Sequence, residues 1–176
     1  LGFRDRVNLS GVNSINWARI MAQIVYYFSS ALSLGAPDRP VSFTVPTGTF
    51  GDIFAGFAAK KMGLPIERLV IATNDNDILA RTLATGRYSM EGVVATSSPS
   101  MDIQISSNFE RLLWYLALES GGKGEEEASK TLKGWMDQLK SEGRVDVGQD
   151  VLALAKRDFE AERVSGGSVG VFTCAV

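Results

Sequence analysis

An α/β fold in three layers, with a mostly parallel sheet and a helical second half, is what these 176 residues predict. Three observations carry that prediction. The short β-rich runs Val41–Val45, Leu69–Thr73 and Val93–Thr96 alternate with segments of helical spacing, the pattern that builds a parallel sheet with right-handed crossovers. Leu69-Val70-Ile71-Ala72-Thr73 is an uninterrupted apolar run, as expected of a strand buried on both faces. Beyond Ser106 the periodicity is helical.

Taken in order, Ile15, Ala18, Ala22, Val25, Phe28 and Leu32 recur at three- and four-residue steps, predicting a helix from Ile15 to about Leu34. Asn13 or Ser14 is placed to cap it, and Gly35 with Pro37 ends it. Val41–Val45 reads as a strand between prolines 40 and 46. Asp52 is expected to cap a second helix that runs to Met62, with Phe54, Phe57 and Ala58 on its apolar side and Lys60 and Lys61 in its last turn. The strand at Leu69–Thr73, a short helix from about Asp77 to Thr85 and a strand at Val93–Thr96 follow. Phe109, Leu112, Leu113 and Leu116 form one amphipathic stripe; Leu132, Trp135, Met136 and Leu139 form another behind the acidic turn Glu125–Glu127. A last helix is expected from Gln149 to about Arg163, and Ser165-Gly166-Gly167-Ser168 reads as a break before an unassigned tail, residues 165–176.

Composition narrows the chemistry. Eighteen Lys and Arg against 20 Asp and Glu, without a long basic run, leave no electrostatic footprint for nucleic acid. With no histidine, a Ser-His-Asp triad, a Cys-His dyad and imidazole zinc sites are excluded. The single cysteine, Cys174, excludes an internal disulfide and a cysteine metal cluster, so no metal is expected. No apolar run reaches the ~18 to 20 residues that span a bilayer, and the first residues lack a signal-peptide core, so no membrane partner and a cytoplasmic location are expected. The chain starts at Leu1 rather than at methionine, which leads to the expectation that it is a piece of something longer.

The most informative stretch is Pro46-Thr47-Gly48-Thr49-Phe50-Gly51-Asp52, between a predicted strand and a predicted helix. Two glycines let the backbone turn tightly and present successive N–H groups, and the following helix aims its positive end at the same spot, so a phosphate would be held there. Equally, the glycines fit a plain strand-to-helix turn. Without Lys-Ser or Lys-Thr after the last glycine this is not a Walker A loop, and without a third glycine it is not the dinucleotide fingerprint. Asn74-Asp75-Asn76-Asp77 lacks the glycine of a calcium loop and reads as a polar turn. Ser97–Asp102 follows a strand end, where ligands bind in open α/β sheets, but an ordinary loop accounts for it too. Asn13, Ser14, Asn16 and Arg19, and Ser107 with Asn108, stand at helix starts, as caps or as anion-binding corners.

Four ordered blocks, Asn13–Ile20, Val45–Ile53, Ser98–Ile103 and Ser106–Leu113, together resemble the threonine synthases. The resemblance covers roughly Arg4 to Arg163, making residues 1–164 part of a large domain. It implies a tryptophan synthase β-like architecture, the fold type II pyridoxal-phosphate enzymes, and a carbon-oxygen lyase acting on phosphates that converts O-phosphohomoserine and water to threonine and phosphate. By the same resemblance Gly48, Thr49, Phe50, Gly51 and Asp52 bind the cofactor phosphate, with Thr49 where the family has asparagine. Asn13, Ser14, Asn16, Arg19, Ser107 and Asn108 are then candidates to bind substrate. The family's Schiff-base lysine, in a Ser-Phe-Lys-Asp type segment, has no counterpart here, so no catalytic residue is assigned and the chain alone is expected to be inactive. A catalytically dead phosphate-binding module, or a related phospholyase, is the alternative, and apolar surface left uncovered is expected to drive self-association.

Overall fold

The computed structural model describes residues 6–7, 13–121 and 124–164, so the break and unassigned tail expected at residues 165–176 lie outside the described residues. Helix α1 (Trp17–Ser33) leads into β1 (Val41–Pro46), α2 (Gly51–Lys61), β2 (Ile66–Thr73) and α3 (Ile78–Thr85). After β3 (Arg87–Ser89) come α4 (Phe109–Gly121), α5 (Glu125–Glu142), β4 (Arg144–Asp146), α6 (Gln149–Asp158) and β5 (Phe159–Arg163). A parallel three-stranded sheet has the order β1-β2-β5, with Val45 opposite Ile71 and Ile71 opposite Ala161. β3 and β4 form a separate antiparallel ribbon. Helices packed on the sheet complete the α/β architecture. Among the described residues no helix is long and apolar enough to cross a membrane.

The central strand is the apolar run anticipated: Ile66, Leu69, Ile71 and Thr73 of β2 are buried. Its second neighbour is not. Val93–Thr96 forms no strand, because the Asn76 side chain occupies the backbone of Val94, accepting from its N–H at 2.9 Å and donating to its carbonyl at 2.8 Å. The third parallel strand is Phe159–Arg163, expected as the end of a helix. That helix stops at Asp158, whose buried carboxylate is held by Lys60 at 2.9 Å and Arg157 at 2.8 Å, and Phe159 then enters the core opposite Leu69.

Two further expectations change. Helix α1 is capped by Asn16, whose side chain accepts from the Ala18 N–H. Its core face is Ile20, Tyr27 and Ala31 with Ile24 and Phe28, while Ile15, Val25 and Leu32 of the anticipated stripe are more than half exposed. The helix is apolar on more than one side, so spacing alone selected the wrong face. Helix α2 is buried nearly all round, and the residue at its N-cap is Phe50 rather than Asp52. The stripe on α4 packs as anticipated, with Phe109, Leu112, Leu113 and Leu116 all buried.

Candidate anion-binding site

The glycine loop lies where β1 ends and α2 begins. Thr47 anchors its first residue, donating its N–H to Ala72 of β2 at 2.8 Å and its hydroxyl to Val45 at 2.6 Å. Phe50 then adopts φ 65°, the left-handed region, which costs a non-glycine residue roughly 1–2 kcal/mol. Its ring is 1% exposed, with centroids 5.2 Å from Phe109 and 5.8 Å from Phe159, so core packing contributes to holding the turn in that conformation.

The carbonyls of this loop are taken up from behind. Ser106 donates its hydroxyl to the Gly48 carbonyl, and Asn108 donates both its backbone N–H, at 3.0 Å, and its side-chain Nδ2, at 3.1 Å, to the Thr49 carbonyl. The N–H groups are left over: among the described residues, none from Gly48 through Ile53 donates a hydrogen bond. Helix geometry accounts for four of them, Phe50 to Ile53, since the N-cap and first turn have no acceptors. Those of Gly48 and Thr49 are additional, and Phe50, Gly51 and Ile53 are buried residues. Six consecutive donors at the positive end of a buried helix suit an anion with several acceptor oxygens.

A second wall comes from residues 96–102. The Asp102 carboxylate accepts from Thr96 (hydroxyl 2.7 Å, N–H 2.8 Å), Asn74 (2.7 Å) and Asn76 (3.1 Å). The bonds from Thr96 above all hold its carboxyl below the usual carboxylate range. So latched, the turn Ser98–Met101 presses on Gly48, where a Cβ would sit 3.0 Å from the Ser100 carbonyl oxygen. Between this turn and the strand ends is a cavity of about 310 Å³ lined by Pro46, Thr73, Asn74, Ser98, Met101 and Val164. It opens at the carboxyl ends of β1 and β2, the ligand-binding edge of open α/β sheets.

The candidate residues separate into groups. Gly48, Thr49, Phe50 and Gly51 form the loop. Asp52 contributes its N–H, but its carboxylate turns to α1, where one oxygen accepts from the hydroxyls of both Tyr26 and Tyr27. Burial chiefly, then Asp52, pushes both phenols well above their ordinary value. Ser14 and Asn108 meet at the loop: Asn108 Nδ2 donates to the Ser14 carbonyl at 2.8 Å. Asn13 and Asn16 are occupied by the backbone N–H groups of Ile15 and Ala18 at the start of α1, and Arg19 lies exposed on that helix. The Ser107 hydroxyl is buried with no partner among the described residues. Lys60 and Lys61 pair with Asp158 and Glu119 at the opposite end of α2. Ser106 and the Asp102 latch were not singled out from sequence; no local signal separates Ser106 from its neighbour Ser107.

A parallel α/β sheet with a donor-lined loop between a strand and a helix defines the class, and the solved structures it resembles share the fold type II architecture. The particular relationship is to threonine synthase. The chain is 52% identical over 167 residues to threonine synthase from Saccharomyces cerevisiae, covering 93% of this chain and 32% of that protein. The crystal structure of pyridoxal-phosphate-bound threonine synthase from Brucella melitensis superposes with a TM-score of 0.81 at 60% identity, over 94% of this chain and 34% of that one. The yeast threonine synthase crystal structure gives 0.84 at 53% identity, over 88% and 31%. No family model matches the chain. It is homologous to threonine synthases along nearly its whole described length and spans about a third of theirs.

Proposed function

We propose that this chain carries the phosphate-holding part of a pyridoxal-phosphate-dependent threonine synthase, which converts O-phosphohomoserine and water to threonine and phosphate. The observation that supports this best is the run of unpartnered N–H groups from Gly48 to Ile53 at the start of α2. The residues present fit a phosphate: the donors are free, Gly48 adds no side chain in front of the Ser98–Met101 turn, and Gly51 adds none beside Asn108. When bound, pyridoxal phosphate supplies an electron sink that stabilises negative charge on substrate carbons. The chain's own contribution would be to hold the phosphate with the N–H groups of Thr49, Phe50 and Gly51, beside the cavity at the sheet edge.

A second reading has one observation in its favour. Lys60 and Lys61 are tied to carboxylates away from the loop, so among the described residues no lysine stands at the cradle, and the chain alone reads as a phosphate-binding module without catalysis. Titrating the ¹⁵N-labelled chain with pyridoxal phosphate tests both. Amide shifts confined to Gly48–Ile53 and no threonine from O-phosphohomoserine are expected. Silence at those amides refutes the cradle, and threonine formation refutes the inactive module.

A further inference from the structure

We infer that Ser106 and Asn108 are positioning residues that set the polarity of the cradle from behind, and that Asn108 does not itself contact a ligand. This rests on the reading of Gly48–Ile53 as a phosphate cradle. A trans peptide is planar, so the carbonyl of one residue and the N–H of the next point in opposite directions. With the Gly48 carbonyl drawn to the Ser106 hydroxyl, the Thr49 N–H faces away from Ser106. The Thr49 carbonyl is drawn to the N–H and Nδ2 of Asn108, so the Phe50 N–H faces away from α4. Two carbonyls that would otherwise repel an anion are thereby turned from the site, and two donors are turned toward it.

The Asn108 amide has its orientation imposed. Arg111 Nε donates to Oδ1 at 3.1 Å, leaving Nδ2 to face the Ser14 and Thr49 carbonyls. Both amide hydrogens are used, and the residue is 0% exposed, so no donor remains for substrate. Arg111 in turn donates to the Ile15 carbonyl at 2.9 Å, so the segment before α1, the loop and the start of α4 close on one another through a single amide. Gly51 belongs to the same arrangement: a Cβ there would lie 3.2 Å from Asn108 Nδ2.

The test uses the whole chain and two readouts. The first needs no ligand: the φ of Phe50, from backbone chemical shifts and the intraresidue Hα–HN contact. The second is the affinity for inorganic phosphate, followed at the Thr49, Phe50 and Gly51 amides. In Asn108→Ala and Ser106→Ala the positive φ of Phe50 should give way to averaging, and phosphate affinity should fall about five- to tenfold for each lost hydrogen bond. Ser106→Thr, which keeps the hydroxyl, should restore both. An unaltered Phe50 φ in Ser106→Ala, or a Ser106→Thr chain that behaves like Ser106→Ala, overturns the inference even if Asn108→Ala fails to fold. Absence of phosphate shifts in the unaltered chain overturns the cradle reading, and the Phe50 readout still decides the role of Ser106 and Asn108.

Discussion

Replacing Gly48 by alanine measures how tightly the two walls of the site are pressed together. The added Cβ would sit 3.0 Å from the Ser100 carbonyl oxygen and 3.2 Å from Met101 Cα, where ordinary contact begins at 3.4 Å. Both neighbours are backbone, so the Ser98–Met101 turn has to retreat by a few tenths of an ångström. That retreat is opposed by the Asp102 latch on Thr96, Asn74 and Asn76. Overpacking of this kind costs about 1–3 kcal/mol. Urea denaturation followed by tryptophan fluorescence reads the cost, with Gly92→Ala, which meets nothing within 4 Å, as the control. Because the latch sets the resistance, Gly48→Ala should cost less in an Asp102→Asn background than alone, a coupling visible in a double-mutant cycle. A Gly48→Ala chain within about 0.5 kcal/mol of the unaltered one, the range of innocuous surface changes, refutes the close approach.

Asp158 predicts a pH dependence. Its burial works to raise the carboxyl, but the hydrogen bonds and charges of Arg157 and Lys60 outweigh that and hold it low. A depressed carboxyl contributes stability above its unfolded value, about 4, and the contribution is lost as pH falls through the folded value. Asp158→Asn should therefore flatten the acid limb of the stability curve below about pH 4 while lowering the plateau at neutral pH; an unchanged acid limb refutes the ion pairing. Asp52→Asn keeps an oxygen for Tyr26 and Tyr27 but removes a negative charge from the first turn of α2, so phosphate should bind tighter, by about twofold or more, in a calorimetric titration. Weaker binding refutes the assignment of that carboxylate to α1. Val93 donates no backbone hydrogen bond among the described residues, so Val93→Pro should change stability by no more than about 0.5 kcal/mol. The same change at Val70, inside the central strand, should abolish the cooperative unfolding transition.

What was legible in the sequence is what local chemistry specifies. The loop at Gly48–Gly51 declares itself because a strand ending in proline, two glycines and a helix start follow within a few residues. The central strand does so because four apolar residues and a β-branched threonine stand in a row, Leu69 to Thr73. Phe159-Glu160-Ala161-Glu162-Arg163 carries no such mark: it is polar at alternate positions and follows a helical run. It becomes a strand because the edge of β2 is open beside it and Phe159 fits opposite Leu69. Val93–Thr96 has the opposite history. Its β-rich composition is genuine, but a side-chain amide reaches it first and leaves no ladder to join. Ser106 carries no local mark, and Asn108 is marked only as a cap or anion-binding corner, for a third reason: the carbonyls they hold lie nearly 60 residues away in sequence.

The site and the core are energetically one object, and Phe50 is where they join. Its left-handed backbone turns the loop, at a cost of about 1–2 kcal/mol that solvent would not offset. Burial of its ring, worth about 1.5–3 kcal/mol, does offset it. The ring is gripped by Phe109 from α4 and Phe159 from β5, an element the local sequence conceals. The hydroxyl and amide that turn the loop's carbonyls come from the residues just before α4, the helix that Phe109 begins. Aromatic packing and carbonyl capture are thus delivered by the same stretch of chain, so the loop cannot keep its donors facing outward unless the second half of the molecule is docked on the first. Anion affinity in this chain should therefore be lost together with the docking of α4, before the parallel pairing of β1 with β2 is lost.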